Sequence, residues 1–267
     1  MSSIDLGVIL EEMGEVGQRV AAMGASEGGA GNISVFTRNL SDMDDRFAAQ
    51  GVIDLPVPAP ALADGWVIIT GTGKRLRDIR RHPERTIGVV RVHRGGQQGT
   101  LYAVEAVRPT SEFNSHLAVH EDHVRRRGVE QHSLVHAQPV RLTYLSHLPA
   151  YSDTARLTRR LFRWQPETLA VFPEGIGLLP FQPPGSAEQE AVTVRGMAEY
   201  RAIVWQRHGI LTRSDVSVEH ACDLVEYAET AAYYEVINLA LGQPTQGLSD
   251  ADLRLIGERL GLAQKLF

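Results

Sequence analysis

Pro109-Thr110-Ser111-Glu112 and Leu134-Val135-His136-Ala137-Gln138 frame a single helical stretch, and their order decides the architecture. From Ser111 to about Arg127 the spacing of apolar residues is helical, whereas Leu134 to Gln138 reads as a strand. Side chains alternate faces along a strand, so His136 and Gln138 are expected to point the same way. A further fragment, Gln206-Arg207-His208-Gly209, lies far downstream. Together the fragments supply one carboxylate, two imidazoles and one amide, the raw material of a metal site with an adjacent acid/base.

Outward from this core, strands and helices mix along the whole chain. Ile9, Met13, Val16, Val20 and Met23 recur at helical spacing, with Gly24 as a stop. Glu27-Gly28-Gly29-Ala30-Gly31-Asn32 reads as a loop entering a strand at Ile33 to Phe36. The polar, Pro-rich stretch from Ser41 to Asp64 reads as an excursion over the surface. Strands are expected at Trp66 to Thr70, Ile87 to Val92 and Leu101 to Val104, and after the central pair at Ala170 to Phe172 and Gly177 to Leu179. Two more flank the His208-Gly209 turn. Helices are expected near 140–147 and 153–163. Ser186 and Gln189 form a capping box for another, ending near Tyr200. A long helix at Ser217 to Leu241 and a last one at about Ser249 to Leu260 complete the order. With no repeat and no composition break, residues 1–267 read as one α/β (α+β-like) domain with helices on both faces of a central sheet.

Bulk composition excludes several classes. The 267 residues are 43% hydrophobic and 22% charged, with a formal net charge of −5, which suits a chain with a large core. Lysine and arginine are dispersed; the densest run, Lys74 to Arg81, is broken by Leu76, Asp78 and Ile79 and reads as a solvated helix face. No nucleic-acid footprint is expected. Cys222 is the only cysteine and no apolar run is long enough to span a bilayer. The expectation is a cytoplasmic protein without membrane or nucleic-acid partners.

Each candidate has a bland reading beside a sharp one. His136 reads as a hydrogen-bonded core histidine or as a ligand. Glu112, His116, His120 and His123 share one helix face. They are a polar stripe, or Glu112 points into a cleft and one of the histidines serves as a ligand. The amide of Gln138 is a harder, neutral donor than imidazole. It weakens zinc and shifts preference towards manganese or magnesium. Two glycine loops, Gly28 to Asn32 and Thr70-Gly71-Thr72-Gly73-Lys74, offer backbone N–H groups of the kind that bind phosphate, or are plain turns. Trp164, Trp205, Tyr227, Tyr233 and Tyr234 read as core or interface aromatics. His82, His93, His132, His147 and His220 read as surface or partly buried.

Taken in order, Gly31-Asn32, Thr70-Gly71-Thr72-Gly73-Lys74, Pro109-Thr110-Ser111-Glu112, His136-x-Gln138, Phe172-Pro173-Glu174-Gly175, Pro184-Gly185 and His208-Gly209 resemble the class II, metal-dependent aldolase/adducin family over nearly the whole chain. The resemblance implies a mostly antiparallel central sheet and a homotetramer with active sites between subunits. It implies a divalent ion, typically zinc, held by His136, the position of Gln138, and His208. Glu112 maps to the acid/base carboxylate, and Glu167 to a second carboxylate contributed across the interface. Gly31 and Asn32, with Thr72 and Gly73, map to the phosphate loops. The implied reaction is cleavage of a ketose 1-phosphate, of the rhamnulose 1-phosphate type, to dihydroxyacetone phosphate and a short aldehyde such as lactaldehyde. The alternatives are a related aldolase or epimerase with another sugar or keto-acid substrate, or a non-catalytic, adducin-like binding protein in which Gln138 has replaced a ligand histidine.

Overall fold

The sheet grows from the two strands that flank the first motif. In a computed structural model, which describes residues 4–41, 43, 47–242, 245–263 and 266–267, β1 (Asn32–Thr37) runs antiparallel to β6 (Gln131–Ala137), with Asn32 opposite His136. Beyond β1 lie β3 (Trp66–Thr70), β4 (Ile87–Val92), β5 (Gln98–Ala103) and β2 (Ala48–Asp54). Beyond β6 lie β9 (Gly209–Ser214), β8 (Ala202–Trp205) and β7 (Gly177–Leu179). Every neighbouring pair is antiparallel except β7 with β8, as expected for a mostly antiparallel sheet.

Helices cover both faces. The larger core packs α1 (Leu6–Ala22), α4 (Val140–Leu145), α5 (Thr154–Phe162), α6 (Pro166–Val171), α8 (Val218–Ala240) and α9 (Asp250–Leu260) against Ile33, Val35, Ile68, Val135 and Val204. On the other face α3 (Phe113–Arg127) and α7 (Ala187–Glu199) cover Phe36, Val67, Leu134, Ile203 and Leu211. The short α2 (Pro83–Thr86) leads into β4. In α1, Asp5 caps the first turn, and Ile9, Met13, Val16 and Val20 are fully buried at three- and four-residue spacing. Each such side chain contributes roughly 1.5–3 kcal/mol.

Four expectations need correction. The 41–64 excursion contains β2, whose side chains are almost all exposed and which carries a bulge between Ala49 and Gly51. An edge strand without a buried face has no alternating apolar pattern to announce it. Residues 42 and 44–46 of that stretch lie outside the described residues. Ala170 to Phe172 is not a strand: Pro166 opens α6, which runs to Val171 and ends on Phe172. Gln138 lies beyond the end of β6, so strand alternation does not set its direction. His132, expected at or near the surface, is fully buried.

His132 belongs to a polar seam beneath α3. Ser34 Oγ lies 2.6 Å from His116 Nδ1 and 2.7 Å from His120 Nε2, and His120 Nδ1 lies 2.8 Å from His132 Nδ1. His123 stacks on His132 with ring centroids 4.2 Å apart and bonds Asp215 at 2.6 Å. The histidine stripe of α3 is thus a packed, hydrogen-bonded layer. Burial pushes the imidazoles of His120 and His132 well below their ordinary value and that of His116 down to about 3. The unfolded chain takes up protons below pH about 6.5 that these folded rings refuse, so stability falls as pH drops below that value. Each ring adds a slope of about 1.4 kcal/mol per pH unit. Urea unfolding at neutral pH and well below the unfolded histidine value should show a large drop in midpoint. Equal midpoints would mean that the folded seam accepts protons.

Candidate active site

Glu112 stands at the N-cap of α3 and is 4% exposed. Its segment is pinned to the Thr70 loop by the Thr110 N–H donating to the Thr70 carbonyl and by a bridge between Gly71 and Pro109. Glu112 Oε2 accepts from Asn32 Nδ2 at 2.9 Å, and Oε1 accepts from Gln189 Nε2 at 3.0 Å. His136, facing Asn32 across the β1–β6 ladder, donates from Nδ1 to the Ile210 carbonyl at 2.9 Å. A carbonyl only accepts, so the lone pair sits on Nε2. That nitrogen is buried without a hydrogen-bond partner, 3.6 Å from Glu112 Oε2. His208, in the turn between β8 and β9, brings Nε2 to 3.8 Å from Glu112 Oε1. Trp205 stacks on its ring at 5.1 Å and 18°.

Charge in this cluster is strongly conditioned. Burial pushes the Glu112 carboxyl up, but the imidazoles of His136 and His208 and the donors from Asn32 and Gln189 outweigh it and hold the group below the usual range. Burial, with His136 nearby, lowers His208 to about 4 against the opposing pull of Glu112. His208 is therefore neutral at pH 7, and its Nε2 offers a lone pair once the long 3.4 Å contact that Gln189 Nε2 donates to Nδ1 gives way.

Two imidazoles and a carboxylate present donor atoms that all lie within 4.8 Å of one another. Together with the orphaned His136 Nε2, this is a donor set that fits zinc, and equally manganese. The carbonyl bond on His136 Nδ1 is the orienting contact a ligating imidazole needs. Gln138 adjoins the cluster. A Cβ built on Gly209 would lie 3.2 Å from Gln138 Cγ, 3.0 Å from His136 Cε1 and 2.4 Å from the Ala137 carbonyl, so only glycine fits after His208. None of His116, His120 and His123 joins the Glu112 group among the described residues; they form the seam instead.

The remaining candidates separate. Asn32 is turned onto Glu112 and Thr110. Gly31, at φ +80°, leaves a Cβ only 2.8 Å from the His136 carbonyl and so lets β1 close onto β6. The two glycine loops abut: a Cβ on Gly29 would meet the Gly73 carbonyl at 3.3 Å, and Thr72 and Gly73 are exposed beside it. Glu167 is exposed at the start of α6, a helix packed among α5, α8 and α9, and is not part of the Glu112 cluster within one protomer.

Two residues of the site escaped sequence reasoning. Gln189 was expected to close a capping box, and Ser186 does accept from the Gln189 N–H. The Gln189 side chain, however, accepts from the Gly185 N–H and donates to Glu112. Its position just after the Pro184-Gly185 motif was the available signal. Trp205, read as a core aromatic, is both buried and the platform for His208. Its Nε1 donates to Thr193, which ties it to α7. Gln189→Leu removes a donor that holds Glu112 low, so the acid limb of the kcat/KM–pH profile should move to higher pH. An unmoved limb would leave Gln189 with a packing role only.

The chain has counterparts in sequence and fold. Residues 11–236 match the class II aldolase and adducin N-terminal domain family. A rhamnulose-1-phosphate aldolase of Escherichia fergusonii is 32% identical over 248 residues, covering 90% of this chain and 88% of that protein. One of Listeria monocytogenes is 30% identical over 267 residues, covering 97% and 95%. A sugar-phosphate aldolase from Thermotoga maritima superposes with a TM-score of 0.77 at 28% identity, over 91% of this chain and 99% of that one. With Glu112, His136 and His208 gathered in such a frame, the chain belongs to the class II aldolase and adducin family and is a class II aldolase, a carbon–carbon lyase.

Proposed function

We propose that the protein is a metal-dependent aldolase of the rhamnulose 1-phosphate type. It reversibly cleaves a ketose 1-phosphate to dihydroxyacetone phosphate and a short aldehyde such as lactaldehyde, in the cytoplasm. The observation that carries this reading is the Glu112–His136–His208 group, two of its three residues buried, with its unpartnered imidazole nitrogen. The identity to named rhamnulose-1-phosphate aldolases over most of the chain supports the substrate class.

His136 and His208 would hold the ion, with Glu112 alongside and Gln138 as the remaining donor; zinc, or manganese or magnesium in view of the amide, suits that set. A divalent ion there supplies a Lewis acid that stabilises negative charge on the three-carbon fragment by several kcal/mol. Glu112, ionised at neutral pH, takes the proton from C3 of dihydroxyacetone phosphate in the synthetic direction and returns it in cleavage. Asn32 and Gln189 fix the carboxylate oxygens for that transfer. Glu167 of a neighbouring protomer protonates the aldehyde oxygen as the bond forms and deprotonates the C4 hydroxyl as it breaks, which requires a homotetramer with shared sites. Gly31, with Thr72 and Gly73, would receive the phosphate; the Asn32 side chain, expected beside them, has its amide donors taken by Glu112 and Thr110 and stays with the carboxylate.

The test is release of dihydroxyacetone phosphate from L-rhamnulose 1-phosphate, measured with zinc, manganese or magnesium added, beside a Gln138→His variant. Turnover is expected in the wild type, with the variant tightening zinc and shifting the preferred ion towards it. No cleavage with any ion in either protein would overturn the substrate assignment.

A further inference from the structure

The seam beneath α3 leads away from Glu112 to the opposite end of the sheet, where β9 ends at Ser214, about 17 Å along the strand. A cavity of about 300 Å³ opens there, among the C-terminal ends of α3 and α7, the start of β8 and the N-terminus of α8. Three arginines line it. Arg201 pairs with Glu174 at 2.6 Å, and Arg127 with Asp215 at 3.5 Å. Arg213 is different. It is 9% exposed, its Nε donates to the Met197 carbonyl at 2.9 Å, and its two terminal nitrogens have no acceptor among the described residues. A buried guanidinium with open donors calls for an anion.

A second donor stands on the same wall. Ser214 Oγ accepts from the N–H groups of Val216 at 3.0 Å and Ser217 at 3.3 Å, so both its lone pairs are engaged. Its own proton therefore goes to His220 Nδ1, 2.9 Å away. This fixes the tautomer: His220 carries its hydrogen on Nε2, which has no partner among the described residues. His220 lies in the first turn of α8, a helix of 23 residues whose N-terminal dipole favours negative charge.

The sign and size of the ligand follow from the remaining charges. Glu174 and Asp215 are neutralised by their arginines, and the carboxylate of Glu199 at the rim is exposed. Arg213 alone of the three has no ion pair within 4.0 Å among the described residues, although Asp215 and Glu174 stand near enough to favour its charge, and these acidic neighbours disfavour a dianion. We propose that this cavity binds a small monocarboxylate, gripped by the terminal nitrogens of Arg213 and by His220 Nε2–H. The site is separate from the Glu112 cluster and does not depend on the substrate assigned there.

Thermal unfolding of the metal-loaded full chain, titrated with sodium acetate against sodium chloride at constant ionic strength, tests the assignment in wild type, Arg213→Met and His220→Phe. Acetate reaching the Glu112 cluster stabilises all three proteins alike, so the difference between them reports the cavity alone. The wild type should show a saturable rise in Tm, and His220→Phe should weaken the apparent Kd about tenfold or more. Arg213→Met should abolish the cavity response; if its loss of the Met197 contact prevents folding, His220→Phe decides alone. His220→Phe should cost the protein less of its response to inorganic phosphate than of its response to acetate, since phosphate taken up at the glycine loops is common to both proteins. Absence of a saturable rise, equal acetate responses in wild type and His220→Phe, or a larger loss of the phosphate response than of the acetate response would each overturn the proposal.

Discussion

With Glu112→Gln, kcat for aldol cleavage should fall about 10²–10⁴-fold while the protein keeps its fold and its bound ion. The substitution is isosteric, but it places an amide where both carboxylate oxygens now accept, from Asn32 and from Gln189. One of these contacts becomes donor against donor, a conflict worth about 1–3 kcal/mol if nothing moves. Asn32 can turn its Oδ1 to accept, but its amide N–H groups then face the buried place where Oδ1 now has no partner, so a cost of about this size remains. Stability should fall by that amount while the fold is kept, and the lost rate reports lost proton transfer. Single-turnover kinetics with metal content measured on the same sample separates the two effects. A variant that retains its ion and loses less than about tenfold in kcat would remove Glu112 from the acid/base role.

His136→Ala should abolish stoichiometric metal binding and lower kcat by about 10²–10⁴-fold, the rate equivalent of several kcal/mol of lost charge stabilisation. The argument rests on orientation. Only His136 among the cluster has its second nitrogen fixed by a backbone carbonyl, at Ile210, so its Nε2 is the most firmly aimed donor. His208 leans on Trp205 and shares a longer contact of 3.4 Å with Gln189. Elemental analysis of the purified variant is the measurement. Near-stoichiometric ion in His136→Ala would move the ligand set elsewhere, for instance to Glu112 and His208 with Gln138. The two variants thus part company: one should keep the ion and lose the proton step, the other should lose the ion.

The sequence made the outline of this fold legible where one face of an element is buried and the other is not. Ile9, Met13, Val16 and Val20 announce α1, and the apolar runs at Trp66 to Thr70 and Ile87 to Val92 announce β3 and β4, because burial imposes periodicity. The edge strand β2 has only Ile53 partly buried and leaves no such trace. In the site, Glu112, His136 and His208 were recoverable from residue type and motif order. Gln189 was not, because one residue serves two hydrogen bonds and the local one, at the start of α7, explains its type by itself. His132 was missed for a related reason. A histidine reads as a surface residue unless its partners are known, and those partners, His120 and through it Ser34, come from α3 and β1.

The pairing of β6 with β9 sets His136 opposite Leu211, and so brings His136 and His208 together from distant parts of the chain. The chelating set exists only after this long-range ladder has closed, and a disordered chain offers nothing comparable to an ion. Ion affinity and folding are then one equilibrium. Once free ion exceeds its dissociation constant, every further tenfold rise adds about 1.4 kcal/mol to the folded state. A cell starved of that ion would lose the enzyme itself as well as its activity, since the empty chain would spend more of its time open to proteolysis. Abundance of the protein would then fall with the supply of its ion.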